Sequence, residues 1–267
     1  MSLELLTVPC LKDNYAYLIH NPASGQTAVV DVPEAPPILA ALAAKGWTLT
    51  DILITHHHWD HIDGVETLRA ATGAAVWGAG ADAHRLPPLD HALAPGDTPM
   101  ICGEQARIFD VSGHTIGHIA LYFPASGYAF TADSLMAAGC GRLFEGTPAQ
   151  MWASLSQFLS LPPETLVCSG HEYTASNIRF ALTLEPANPA LILRSDEVTA
   201  ARTANRPTVP SSLSVELATN PFLRAHLPQV KQAAGLPDAS DDDVFAEIRA
   251  RKDSFLPPAA PLRSHLT

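Results

Sequence analysis

The run Thr55-His56-His57-His58-Trp59-Asp60-His61 places four potential metal ligands, His56, His58, Asp60 and His61, within six positions. Four nitrogen and oxygen donors with no thiolate among them suit Zn²⁺ or another borderline divalent ion. Adjacent side chains diverge, so one tetrahedral ion is ill placed to take Asp60 and His61 together with His56 and His58, and the arrangement points to two metals. A two-metal centre with open positions makes hydroxide from water near neutral pH, which is the chemistry of a hydrolase. The plainer reading of a His-rich tract is an expression tag or a loose metal-binding surface. Tags sit at termini before polar linkers. This tract follows the apolar run Asp51-Ile52-Leu53-Ile54 and precedes Ile62–Leu68, which reads as a helix start, and that strand–loop–helix context favours a built site.

A two-metal site needs further donors. His114, Asp133 and His171 each follow an expected strand, so with the 56–61 loop four strand ends carry ligand-type residues that can converge on one rigid rim. A lone His is usually structural; beside the dense motif, ligation becomes the better reading for His114 and His171. If the segment stays extended, His57 alternates to the face opposite His56 and His58 and becomes a supporting or packing residue. His118 reads as a buried, hydrogen-bonded support. His20, His84, His91, His226 and His265 have no such context.

The elements that must position these residues follow from the apolar pattern. Strands are expected at Tyr15–His20, Thr27–Asp31, Asp51–Thr55, Ala74–Trp77, Ala106–Val111, Ile119–Phe123, Tyr128–Thr131 and Thr165–Ser169, separated by Gly, Pro and Asp clusters. Helical spacing predicts helices over Ala35–Lys45, Ile62–Thr72 and Pro148–Ser160. After about Tyr173 the texture turns helical, with Ala175–Leu184, Ala190–Ala204 and Asp241–Lys252, the last capped by Ser240 with acidic residues in its first turn. Pro207 and Pro210 make Arg206–Ser214 an ordered loop. The expected division is an α/β catalytic domain over 1–172 and a smaller helical domain over 173–267.

At 267 residues the chain can bury a sizeable core without disulfides, and its 47% apolar content is ordinary for a globular protein. No stretch is apolar enough to span a membrane, and no secretion signal is visible. Cys10, Cys102, Cys140 and Cys168 are therefore expected to be free thiols in a reducing cytoplasm. A net charge of −11 argues against nucleic-acid or anionic-membrane partners. An anionic small-molecule substrate would need a local basic patch. A monomer is expected.

The His-x-His-x-Asp-His run, followed in order by His114, Asp133 and His171, resembles the metallo-β-lactamase superfamily. That resemblance implies an αββα sandwich with the metal site at one edge. Pro9–Tyr15, Gly139–Thr147, Gly170–Thr174, Asn220–Arg224 and Arg249–Phe255 resemble, across essentially the whole chain, its hydroxyacylglutathione hydrolase (glyoxalase II) family. The family resemblance implies one metal on His56, His58 and His114 and a second on Asp60, His61 and His171. Asp133 would bridge both, as would a hydroxide, the only catalytic group expected. The cofactors would be two divalent ions, zinc first, with iron or manganese as alternatives. Arg142, Tyr173, Arg249 and Lys252 match glutathione-binding positions, and Phe144 stands where some members have a tyrosine, removing one hydroxyl contact. Taken alone, Arg249 and Lys252 would read as a solvated helix end and Tyr173 as packing. The implied reaction is hydrolysis of S-(2-hydroxyacyl)glutathione thioesters, typically S-D-lactoylglutathione, in methylglyoxal detoxification. A sulfur dioxygenase of the same superfamily would use one iron and generally lacks the C-terminal glutathione-binding domain. A nucleic-acid-processing member is disfavoured by the acidic charge. A non-catalytic binding module on a decayed scaffold would be expected to lose ligands.

Overall fold

Strand Asn14–His20 is buried along its whole length, so both of its faces must be covered. Tyr15, Tyr17 and Ile19 enter a core shared with Ile108, Leu121, Phe123, Phe130 and Cys168 of a second sheet. Ala16 and Leu18, on the alternate face, pack with Ile38, Leu42, Val65 and Leu68 of two helices. The outer face of the second sheet, through Ala120 and Val167, meets Met151, Leu155, Phe180, Phe222 and Phe245. These three cores define a helix–sheet–sheet–helix sandwich, in agreement with the expected α/β class. The computed structural model describes residues 2–256. The tail of the expected 173–267 segment, with His265, lies outside the described residues.

The first sheet runs in chain order: Glu4–Cys10, Asn14–His20, Gln26–Val30, Thr48–Leu53, Ala75–Ala79 and His91–Leu93. The second has the order Ser211–Ser212, Leu166–Ser169, Tyr128–Ala132, Ile119–Phe123 and Arg107–Asp110. The sheets meet at the site edge, where the Tyr15 amide donates to the Gly170 carbonyl at 2.8 Å and Asn14 bridges to His171. Pro148–Ser156 starts with a reciprocal capping box between Thr147 and Gln150, and Ser240 caps Asp241–Ser254 ahead of three aspartates.

Three local readings change. The helix expected over Ile62–Thr72 divides into Trp59–Ile62 and Val65–Thr72. Between them Gly64 lies against Val32 so tightly that a Cβ there would sit 2.7 Å from the Val32 side chain, and its amide bonds to the Val32 carbonyl. The loop expected over Arg206–Ser214 ends early: Ser211–Ser212 pairs with Leu166–Val167, and Ser212 caps a helix over Leu213–Thr219. The segment after residue 173 thus contributes an edge strand to the second sheet. Strand Glu4–Cys10 escaped the sequence reading because Pro9 and a half-exposed pattern mask it, features that an edge position tolerates.

Candidate metal centre

Four strand ends deliver the donors to one rim. The 55–58 loop and the helical turn Trp59–Ile62 follow Thr48–Leu53, His114 lies in the turn after Arg107–Asp110, Asp133 directly follows Tyr128–Ala132, and His171 follows Leu166–Ser169. His56, His58 and His114 each turn one ligand atom into a group whose members lie within 4.8 Å of one another, and so do Asp60, His61 and His171. Asp133 sits between the groups. Its Oδ1 is 3.5 Å from His61 Nε2, and its Oδ2 is 3.2 Å from His171 Nε2 and 3.5 Å from His114 Nε2.

The far sides of His61, His171, His114 and Asp60 are braced. His61 Nδ1 donates to Asp31 at 2.7 Å, and that carboxylate also takes the Thr55 amide at 2.9 Å and the Thr55 hydroxyl at 2.8 Å. His171 Nδ1 meets Asp13 at 3.1 Å, and His114 Nδ1 donates to the Arg142 carbonyl at 2.7 Å. Asn14 holds Asp60 through its carbonyl and carboxylate at 3.0 and 3.1 Å. Such partners set tautomer and ring direction, leaving the opposite nitrogen for a cation. Two glycines allow the crowding. A Cβ on Gly170 would lie 2.4 Å from Asp133 Oδ1, and one on Gly141 would lie 1.9 Å from the Asp133 carbonyl oxygen.

The donor set fits divalent metal ions. His56 Nε2 and Asp133 Oδ1 are buried and have no hydrogen-bond partner among the described residues. Burial, then the nearby His61 and His118, hold His56 well below the ordinary imidazole range, and burial with His114 and His57 pushes His58 down to about 4. Both are neutral with lone pairs to offer. Burial opposes ionisation of Asp133, but attraction from His171 and His61 prevails and keeps it a carboxylate. Against burial, Asp133 and Asp31 hold His61 up and Asp133 holds His171 up, so a bound cation would take the place of their protons beside the neutral His56 and His58. Cys140 is no competitor, because burial pushes its thiol up to about 11.

A cavity of about 720 Å³ opens over these donors. His58, Asp60, His114, Asp133 and His171 line it together with Arg142, Phe144, Tyr173, Arg249 and Lys252. Tyr173 stacks flat on His171 with ring centroids 4.7 Å apart, and Phe144 stands edge-on to His58 and His114 at 5.6 and 5.3 Å. Lys252 lies over Phe180 and Phe255 at 5.5 and 5.6 Å. Arg249 is not a solvated helix end: it is 6% exposed, lies 5.2 Å over Phe222, and donates to the Cys140 carbonyl at 3.1 Å and to Asp253 at 2.8 Å. Arg142 approaches the same Asp253 oxygen at 3.5 Å.

His57 turns away, to Asp82 at 3.2 Å and Glu145 at 3.7 Å. His118 is buried flat against His56, centroids 4.5 Å apart. Among the histidines without a motif, His20 stacks on Trp47 and His91 on Trp77. The sequence reading passed over Asp31. Its signal is a carboxylate closing an apolar strand, too common a feature to stand out alone. Asp13 and Asn14 lay inside a quoted run but carried no role.

Residues 13–171 match the metallo-beta-lactamase superfamily, and residues 172–255 match the family described as hydroxyacylglutathione hydrolase C-terminus. A relative named hydroxyacylglutathione hydrolase from Jannaschia sp. (strain CCS1) is 66% identical over 252 residues, covering 94% of this chain and 98% of its own. One of the same name from Fuscovulum blasticum is 67% identical over 255 residues, covering 96% and 100%. Among solved structures, TTHA1623 in a di-iron-bound form is 28% identical with a TM-score of 0.54, over 63% of this chain and 91% of its own. Matched along both parts, the chain belongs to the hydroxyacylglutathione hydrolase family of the metallo-β-lactamase superfamily.

Proposed function

We propose that this chain hydrolyses S-(2-hydroxyacyl)glutathione thioesters, S-D-lactoylglutathione among them, to a 2-hydroxy acid and glutathione, the second step of methylglyoxal detoxification. The observation that carries the reading is one cavity with the buried donor cluster and a cationic wall of Arg142, Arg249 and Lys252 on the same lining. The relatives' name supports the substrate class. His56, His58 and His114 would hold one divalent ion and Asp60, His61 and His171 the other, with Asp133 shared. When bound, two such ions supply an acidified water and a Lewis acid for the thioester carbonyl. The all-N/O donor set supports zinc, with iron or manganese as alternatives, and the di-iron-bound form of TTHA1623 supports a two-metal reading.

The chain's own residues supply placement. Asp31 and Asp13 keep the imidazoles of His61 and His171 turned inward. Lys252 and Arg142 attract the carboxylates of glutathione, and Arg249 adds field from below while anchoring the Cys140 carbonyl. Tyr173 and the exposed Trp59 and Phe144 form an aromatic rim beside the donors. A thiolate leaves readily, so the site needs no strong general acid. On this reading residues 1–172 carry the chemistry and 173–267 supply substrate binding. We also propose a cytoplasmic monomer. All four cysteines are unpaired, and no described helix is long and apolar enough to cross a membrane. The test is steady-state hydrolysis of S-D-lactoylglutathione beside a small acyl thioester without glutathione's carboxylates. A preference of roughly tenfold or more in kcat/KM is expected, and equal values would contradict the assignment.

A further inference from the structure

We propose that Glu216, paired with Arg194, is a positioning residue for the metal centre. From the C-terminal helices it holds the hairpin that carries Asp133 at one end and Gly141–Arg142 at the other. The inference rests on the metal-centre reading above. Leu135–Met136 pairs with Gly139–Cys140, leaving Ala137 and Ala138 as the turn. Ala138 has a φ of +54°, a left-handed conformation that alanine seldom adopts unaided. Its amide donates to Glu216 Oε2 at 2.8 Å. Asn220 donates to the Met136 and Gly139 carbonyls at 3.0 and 2.9 Å, and Asn177 to the Ala137 carbonyl at 3.0 Å. The turn is therefore clamped by side chains of the segment after residue 173.

Glu216 is fully buried and also accepts from Ser211 at 2.6 Å, from Asn220 at 3.1 Å and from the Arg194 guanidinium, which is itself tied to Thr219 at 2.6 Å. Buried ion pairs add little net stability over apolar packing, but a fully satisfied network admits one geometry. That geometry reaches the donors without slack. The Gly141 amide bonds to the Ser134 carbonyl at 3.1 Å beside Asp133, and the Arg142 carbonyl is the brace of His114. Side chains of the segment after residue 173 are thereby bonded directly to the hairpin that flanks Asp133.

Glu216→Gln keeps the shape while weakening the acceptor for the Ala138 amide and leaving Arg194 without its counter-charge. Three readouts apply: metal retention against a chelator, amide exchange over 135–140 in metal-free protein, and kinetics with S-D-lactoylglutathione. Metal retention should weaken about 10- to 100-fold, hairpin exchange should quicken, and kcat should fall at unchanged KM. Adding Ala138→Gly, which relaxes the turn by itself, should restore part of the loss. Ser211→Ala, which removes a bond to the same carboxylate without touching the hairpin, should retain metal as the unaltered protein does. Should Glu216→Gln fail to fold, Asn220→Ser leaves the ion pair intact and is expected to shift the same readouts in the same direction. A folded variant of either kind with unaltered metal retention overturns the proposal, as does an equal loss in Ser211→Ala. If the unaltered protein binds no metal, the metal-centre reading fails instead.

Discussion

Lys252 offers a close test of how this cavity recognises its substrate. The side chain is half-buried between two aromatic rings on the cavity wall, and burial, then the charges of Arg249 and Arg179, bring it down to about 8. A charge-assisted contact to a glutathione carboxylate contributes about 1.5–3 kcal/mol where desolvated. Partial exposure favours the lower part of that range, so Lys252→Met should lower kcat/KM for S-D-lactoylglutathione roughly ten- to thirtyfold, mainly through KM. A small thioester without the carboxylates should be nearly indifferent. The pH dependence has a definite sign. Lysine is cationic below its pKa, so KM for the anionic substrate should rise as pH increases through about 8, and this rise should vanish in Lys252→Met. The folded value lies below the ordinary 10.5, so the cation costs the native state stability at pH 7, and that cost fades as pH rises from about 8 toward 10.5. Lys252→Met should therefore not lower Tm at pH 7. Steady-state kinetics from pH 6.5 to about 9.5 with both substrates, together with thermal melts, reads all of these. An unchanged KM for lactoylglutathione, or a KM rise above pH 8 that survives the substitution, would rule out Lys252 as a substrate contact.

Two further substitutions probe the donor cluster. Asp133→Ala should empty the site and abolish turnover, whereas His57→Ala, whose imidazole faces Asp82 and Glu145, should retain metal. Metal content and kcat of the two variants decide this, and comparable losses would show the ligand set to be wrong. Asp31→Asn preserves the left-handed backbone at φ +57° but removes the charge behind His61. Chelator competition should show metal binding weakened about 10- to 100-fold, and unaltered retention would deny Asp31 its bracing role.

The donors were legible because their chemistry is improbable without a cation: His56, His58, Asp60 and His61 crowd one loop, and each later donor follows an apolar strand. The bracing groups were not. Asp31 and Asp13 are single carboxylates whose meaning comes from what folds against them. The sandwich was readable where strands are buried on both faces, as in Asn14–His20, and was missed where a strand is an edge with a proline, as in Glu4–Cys10. Helices Leu213–Thr219 and Pro228–Ala233 are only seven and six residues long, so periodicity had too little length to register. Glu216 carried no signal of its own in the sequence, and only the packing of the C-terminal segment on the hairpin gives it a role. The bracing of Arg249 beneath Cys140 depends on the same packing.

In the proposed centre His56, His58 and His114 hold one metal ion, Asp60, His61 and His171 hold a second, Asp133 is shared, and thioester hydrolysis depends on both. Elemental analysis of the purified protein, with stepwise metal removal and restoration followed by hydrolysis of S-D-lactoylglutathione on the same samples, tests it most directly. Close to two divalent ions per chain are expected, with activity that disappears on removal and returns as both are restored. A stable, fully active protein holding a single metal ion would contradict it.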